Sequence, residues 1–371
     1  MSQSPLFQPL KIGALELSHR VVMAPITRMR AGPGMVCRDI AVEYYRQRAT
    51  PGGLIIAEAS QVTPTGQGYP QTPGIHSEEQ IAAWKKVTDA VHAAGGHIFL
   101  QLWHVGRISH SSYHGATPVA PSAVAAAGEH FTASWTLEPF QTPRALELNE
   151  IAEIVEAYRT GASNAMAAGF DGVEIHGANG YLIEQFLQSR SNKRDDIYGG
   201  SIANRTRFLL EVTRAVAAEV GADRVGVRLS PFGTANDAGD EDALPLYRHA
   251  IAALSGLQIA YLHLIEPRAT GTGKADVFNE KAPSAATLFR DYWPGVLIAA
   301  GGYDGPSAQE EVGKNLADAV AFGRSFISNP DLVERVRIGA SLNPWDRPTF
   351  YGGDEKGYTD YPTLQMLDAT A

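Results

Sequence analysis

Residues 296–324 read VLIAAGGYDGPSAQEEVGKNLADAVAFGR, and this stretch decides the fold. A continuous apolar run, Val296–Ala300, meets Gly301-Gly302. A helix-like segment follows over Ser307–Leu316, and a second apolar run, Ala319–Gly323, ends at Arg324. Runs that are apolar throughout, not alternating, suit parallel strands buried on both faces, and the intervening helix makes the crossover. Working outward, the same unit recurs. Further strand-like runs are Val21–Ala24, Leu54–Ala57, Ile98–Trp103, Val173–His176, Val225–Leu229 and Tyr261–Ile265. Helical patterns lie between them at Glu78–Ala94, Glu150–Ala168, Asn204–Glu219, Asp242–Leu254 and, after the last run, Asp331–Ile338. Eight strands alternating with helices predict an α/β chain folded as a closed (β/α)8 TIM barrel.

The chain's 371 residues exceed the roughly 250 of a plain barrel and leave room for insertions within a single domain spanning 1–371. Two insertions are legible. Leu10–Ile12 and Leu15–Leu17 around Gly13-Ala14 read as a hairpin that could cover the barrel floor. The stretch from about 105 to 147 is too long for an ordinary strand-to-helix loop and predicts an excursion over the mouth.

Composition narrows the function. A formal net charge of −9 argues against nucleic acid as a partner, because phosphate contacts need a basic face. The one cysteine, Cys37, leaves no intramolecular disulfide, Cys-ligated zinc or protein-held iron–sulfur cluster. No basic-then-apolar leader and no apolar run near the roughly 18 residues of a membrane span is visible, so a cytoplasmic enzyme without a membrane partner is expected. His110 and His114 have helical metal spacing but no evident carboxylate partner, and no metal is expected there.

Barrel chemistry collects at the C-terminal ends of strands, while the strand interiors read as apolar. Gly301-Gly302 and Gly323-Arg324 end the last two strands, where this fold often binds phosphate through backbone N–H groups and a guanidinium. The fourth strand runs into His176-Gly177-Ala178-Asn179-Gly180-Tyr181. His176 and Asn179 could donate to one carbonyl oxygen, and Tyr181, with an ordinary pKa of about 10, could deliver a proton at neutral pH. Each of these groups also has a plain structural reading, as a turn glycine, a surface ion pair or a satisfied core histidine. No G-x-G-x-x-G follows a strand, so a nicotinamide would have to visit the substrate's own mouth. No lysine sits at a strand end, which counts against a Schiff-base aldolase.

Five ordered segments carry a resemblance to the old yellow enzyme family of flavin ene-reductases. They are LFQPLKIGALELSHRVVMAPITR (6–28), QLWHVGRIS (101–109), HGANGYLIEQFLQSRSNKRDDIYGGSIANRTRF (176–208), AFGRSFISNPDLVERV (321–336) and TFYGGDEKGYTDYP (349–362). The resemblance covers nearly the whole chain and is to the classical branch typified by N-ethylmaleimide and pentaerythritol tetranitrate reductases. It implies tightly bound, non-covalent FMN, with NADPH, or less favourably NADH, as transient reductant. Pro25, Ile26 and Thr27 match the segment lining the flavin ring; Ala59, Gln101 and Arg228 match its polar edge; Gly302, Gly323 and Arg324 match its phosphate site. His176 and Asn179 match the carbonyl-binding pair, and Tyr181 the proton donor. Tyr69, Trp103 and Tyr351 match aromatic positions of the substrate pocket. Threonine at 27 fits the classical branch, and Asn179 stands where many relatives carry a second histidine. The stretch RDDIYGGSIANRTRF (194–208) is expected to be a structural network without catalysis.

The implied reaction is reduction of the activated C=C bond of an enone, enal, maleimide or nitroalkene, by a monomer or homodimer. Its rivals are a nitrate-ester or nitroaromatic reductase on the same scaffold, and a flavin-free isomerase or aldolase using the phosphate site.

Overall fold

Strand register closes the barrel. The computed structural model describes residues 4–268 and 284–368. In it β1 (Val21–Met23), β2 (Leu54–Gln61), β3 (His97–Trp103), β4 (Gly172–Gly177), β5 (Val225–Leu229), β6 (Tyr261–Ile265), β7 (Val296–Ala300) and β8 (Ala319–Phe322) pair in sequence order. All eight pairings are parallel, and β8 returns to β1 through Val320 opposite Val21. The expected strands are all present, β5, β6 and β7 with the bounds read from the sequence.

The outer helices are α1 (Asp39–Arg48), α2 (Glu78–Ala93), α3 (Leu148–Ala167), α4 (Ile202–Val220), α5 (Ala243–Ser255), α6 (Ala285–Phe289), α7 (Gly305–Gly313) and α8 (Leu332–Ile338). Two of them, α1 and α6, are absent from the sequence reading. α1 begins at Arg38 without a side-chain cap, and its buried face is Ala41, Tyr44, Tyr45 and Arg48, which does not read as an apolar stripe. α2, by contrast, opens on a full capping box from Ser77 and Gln80.

The barrel lumen is packed at its floor and polar higher up. Ile12 and Leu17 of the Leu10–Leu17 hairpin pack with Val22, Leu54, Phe99 and Tyr261, so the hairpin plugs the floor as expected. Phe99 and Tyr261 lie 5.8 Å apart across the lumen. They fit because the facing wall positions are glycines: a Cβ on Gly172 would stand 2.3 Å from the Phe99 ring, and one on Gly226 2.2 Å from that of Tyr261. Above this layer the expectation of apolar strand interiors is wrong. Gln101, Glu174, Arg228 and His263 are all buried polar residues of the barrel strands, and such groups call for hydrogen-bond partners from protein, water or a ligand.

β2 is also longer than expected, because a register shift between Ala57 and Ser60 carries it to Gln61. Its polar end meets tertiary partners: the Glu58 backbone amide donates to the Tyr45 hydroxyl (3.0 Å), and the Gln61 side-chain amide to the Thr72 hydroxyl (2.7 Å).

The excursion folds over the mouth. It contains a one-turn helix Ser111–His114, an antiparallel pair Glu129–Phe131 with Leu137–Pro139, and a parallel pair Val119–Ala120 with Arg144–Ala145. Arg194 anchors it, donating to the carbonyls of Pro121 (2.9 Å) and Leu146 (2.6 Å) while paired with Asp196. The 194–208 stretch thus acts in this structure as a fastening between excursion and α4. His110 caps the one-turn helix, its Nδ1 accepting from the Ser112 amide.

Candidate active site

At the C-terminal end of β4 the chain makes two successive left-handed residues, Asn179 (φ 58°) and Gly180 (φ 75°). The second must be glycine, since a Cβ there would lie 2.6 Å from the Ala235 carbonyl oxygen. The turn is held from below. Glu184 Oε2 accepts from the Gly180 amide (2.6 Å), and its Oε1 accepts from the hydroxyls of Ser230 (2.7 Å) and Tyr247 (2.5 Å). Ser230 Oγ in turn accepts from the Asn179 amide (2.8 Å), and Gln185 donates to the Gly180 carbonyl (2.7 Å). Burial pushes the Glu184 carboxyl up to about 7.

This turn projects Tyr181 over the lumen. Its ring stands edge-on to Trp103 (centroids 4.9 Å apart) and to His176 (5.0 Å), and its hydroxyl lies 3.0 Å from that of Tyr69. Tyr69 stacks on Trp103 at 5.7 Å. Ala59, Val105 and Ile108 complete the apolar cluster around them, so the excursion closes the pocket from above. Burial drives the Tyr181 phenol well above its ordinary range, and Tyr69 up to about 12. His176 is driven the other way, first by burial and then by the nearby Arg228, and is neutral. The pocket therefore holds a protonated phenol beside an uncharged imidazole.

The remaining expected residues arrive by register. His176 pairs with Arg228 across β4 and β5, and Glu174 with Gln101 across β4 and β3. The Ala24 amide bonds the Phe322 carbonyl (3.0 Å), bringing Pro25-Ile26-Thr27 beside Gly323. A Cβ on Gly323 would be 4.0 Å from Ile26. Gly302 has φ 72° at the end of β7. Asp304 caps α7 with its own carboxylate, so that helix terminus is already closed by an acid. The short helix Arg324–Ser328 begins at Gly323 with no side-chain cap, which leaves its N–H groups as the better anion donors of the two. Arg324 feels burial and then Arg347, a second guanidinium, and both act on Tyr351. Tyr351 is 40% exposed at the pocket rim, within electrostatic reach of Tyr69 and Tyr181.

Residues 5–343 match the model of the NADH:flavin oxidoreductase / NADH oxidase family. The chain belongs to this family, the old yellow enzymes. The enzyme is 48% identical to 12-oxophytodienoate reductase 7 of Oryza sativa subsp. japonica, over 98% of this chain and 95% of that protein. Among solved structures it is similar to morphinone reductase in complex with tetrahydroNAD, at 48% identity and TM-score 0.90 over 97% of both chains. It is likewise similar to the old yellow enzyme homologue from Zymomonas mobilis, at 42% identity and TM-score 0.92, covering 97% of this chain and 99% of that one. As an old yellow enzyme it is an FMN-dependent NAD(P)H oxidoreductase.

The residues fit that cofactor. Trp103 Nε1, His176 Nδ1, Arg228 Nε and His263 Nε2 are buried polar atoms without a hydrogen-bond partner among the described residues, all in one region of the lumen below the mouth. Buried groups of this kind call for a polar ligand. Several contributors escaped the sequence reading. Asn236, in a left-handed conformation after β5, donates to the Asn179 carbonyl (2.8 Å) and reaches the Tyr69 and Tyr181 hydroxyls. Glu184, Glu174, His263 and Arg347 were missed too. The only sequence signal for Glu174 was a charged residue inside an otherwise apolar run.

Proposed function

We propose that this old yellow enzyme reduces the activated C=C bond of enones, enals, maleimides and nitroalkenes. The names of its relatives, 12-oxophytodienoate reductase and morphinone reductase, fit that substrate class. The observation that carries the reading is the Tyr181 hydroxyl, kept protonated by burial and placed edge-on to a neutral His176.

When bound, FMN supplies hydride for the substrate β-carbon after its reduction by a nicotinamide. The chain's own residues do the rest. His176 and Asn179 hold the activating oxygen, and their N–H donors stabilise the negative charge that develops on it. Neutral imidazole suits this task, since it donates without introducing a second buried cation beside Arg228. Tyr181 gives its proton to the α-carbon, and Tyr69, 3.0 Å away, is placed to steady the phenolate left behind. Trp103 and Tyr69 form an apolar wall for a flat substrate. Pro25, Ile26 and Thr27 would line the flavin ring, Ala59, Gln101 and Arg228 its polar edge, and Gly302, Gly323 and Arg324 would hold its phosphate. Tyr351 closes the outer rim.

NADPH is the proposed reductant; NADH is the second reading, favoured by the tetrahydroNAD bound to morphinone reductase. Among the described residues no helix is long and apolar enough to cross a membrane, and we place the enzyme in the cytoplasm, as monomer or homodimer.

The test is an anaerobic absorbance titration of the purified protein. The flavin band is expected to bleach with NADPH faster than with NADH, and to return on adding 2-cyclohexenone. Return with a nitrate ester or nitroaromatic but not with the enone would replace this substrate class. Protein that binds no FMN would refute the site.

A further inference from the structure

Glu174 sits in the middle of the barrel, fully buried, on the inward face of β4 two residues before His176. Its Oε1 accepts from Gln101 Nε2 at 2.7 Å, and its Oε2 accepts from His263 Nδ1 at 2.8 Å and the Tyr261 hydroxyl at 3.1 Å. These are three donors from two other strands, β3 and β6, all spent on one carboxylate. Among the described residues its hydrogen bonds go to these three donors and not to His176, Asn179 or Tyr181.

The contact with Gln101 fixes the side chain's sense. An amide facing a carboxylate must turn its NH2 toward it, because the reverse sets two oxygens against each other. Gln101 Oε1 therefore points away from Glu174 and is left as an acceptor for whatever occupies the polar edge of the cofactor site. The second effect is electrostatic. His263, next to Glu174, is driven toward its neutral form, first by burial, although the carboxylate works the other way; its Nε2 has no partner among the described residues. Glu174 itself is held as an anion: burial opposes its charge, but His263, Arg228 and Gln101 outweigh that. The buried cation answering this anion is Arg228, one strand away and next in register to His176.

We propose that Glu174 is a positioning residue for the flavin edge: it sets the orientation of Gln101 and offsets part of the Arg228 charge, and so lowers the reduction potential of bound FMN. The inference rests on the assignment of FMN to this site. Reduced flavin carries more negative charge than oxidised flavin, so an Arg228 offset by Glu174 favours the reduced form less than an isolated guanidinium would.

The experiment measures the midpoint potential of bound FMN by anaerobic dye-linked reduction, in wild type, Glu174→Gln and Tyr261→Phe. Glu174→Gln keeps the shape and removes the charge. It is expected to raise the preference for reduced over oxidised FMN at least tenfold, about 30 mV upward for a two-electron couple. Tyr261→Phe keeps the ring but deletes one donor to the carboxylate, leaving more of its charge felt at Arg228. It is expected to move the potential downward by about threefold in the same ratio. An unmoved potential in both variants overturns the proposal, and so do shifts of the same sign, which would mark a general loosening of the barrel. If Glu174→Gln yields no folded protein, Tyr261→Phe decides alone, and the absence of a downward shift overturns it. Wild-type protein without FMN would remove the cofactor assignment and this proposal together, which separates that failure from an unmoved potential.

Discussion

Replacing Tyr181 by phenylalanine separates proton delivery from everything else the residue does. The ring contacts with Trp103 and His176, at 4.9 and 5.0 Å, survive in the variant, and no cavity opens. What is lost is the hydroxyl, with its 3.0 Å bond to Tyr69 and its contact with Asn236. One such neutral hydrogen bond is worth about 1 kcal/mol net, so the thermal midpoint should fall by no more than about 2 °C. The loss in chemistry should be much larger. A positioned general acid contributes roughly 10²–10⁴-fold, or about 3–5 kcal/mol of barrier. The Tyr69 hydroxyl sits close enough to substitute in part, which argues for the lower end of that range. Stopped-flow absorbance resolves the two half-reactions: flavin reduction by NADPH should stay within about twofold of wild type, while reoxidation by 2-cyclohexenone should slow about a hundredfold or more. Equal losses in both half-reactions, or a reoxidation rate unchanged on the enone, would refute the assignment of the proton to Tyr181.

Gly180→Ala forces a Cβ against the Ala235 carbonyl from a left-handed backbone, and should cost roughly 2–4 kcal/mol in chemical denaturation while slowing enone turnover. A variant as stable and active as wild type would show the turn to be compliant. Arg324→Ala should weaken FMN binding about 10- to 100-fold, with riboflavin, which lacks the phosphate, affected little; equal loss for both ligands would deny Arg324 a phosphate role. Glu184 has a folded-state value of about 7 against an ordinary 4.5, so the folded protein holds that proton more tightly. Its contribution to stability is full below about pH 4.5 and is lost as pH rises through 7, on the order of 3 kcal/mol. Thermal midpoints of Glu184→Gln should accordingly fall less between pH 5 and pH 7 than those of wild type, and an unchanged slope would remove Glu184 from the account.

Strands were legible where burial on both sides makes them uniformly apolar, as in Val296–Ala300 and Ala319–Phe322. They were misread where polar groups find partners far along the chain. Glu58, Ser60 and Gln61 look like the end of a strand until the Tyr45 and Thr72 hydroxyls are seen to meet two of them. Glu174 and His263 are 89 residues apart, and nothing local announces that they share the lumen. The catalytic turn was more readable, because Asn179-Gly180 is a local signal for left-handed backbone and Tyr181 follows directly. The partners that hold the turn, Ser230, Asn236 and Tyr247, come from the loop after β5 and from α5, and so stayed invisible. Phosphate and ring positions were found through glycines and a family resemblance; Arg347, in a Pro-rich segment without periodicity, was not.

Three arginines from the first part of the chain hold the segment that carries Tyr351. Arg28 donates to the carbonyls of Phe350 (2.9 Å) and Gly357 (2.7 Å), Arg30 to those of Thr349 and Lys356, and Arg48 to that of Tyr358. The Arg28 contacts span 322 and 329 positions. A ribosome must therefore deliver almost the whole polypeptide before these arginines find their carbonyls. Until then three guanidiniums wait without the backbone that will receive them, beside Tyr44, whose ring later stacks on Tyr358 at 4.0 Å. Long-range closures of this kind are slow and come late in folding. During synthesis the rim of the pocket can therefore close only after the residues of all eight barrel strands have been made.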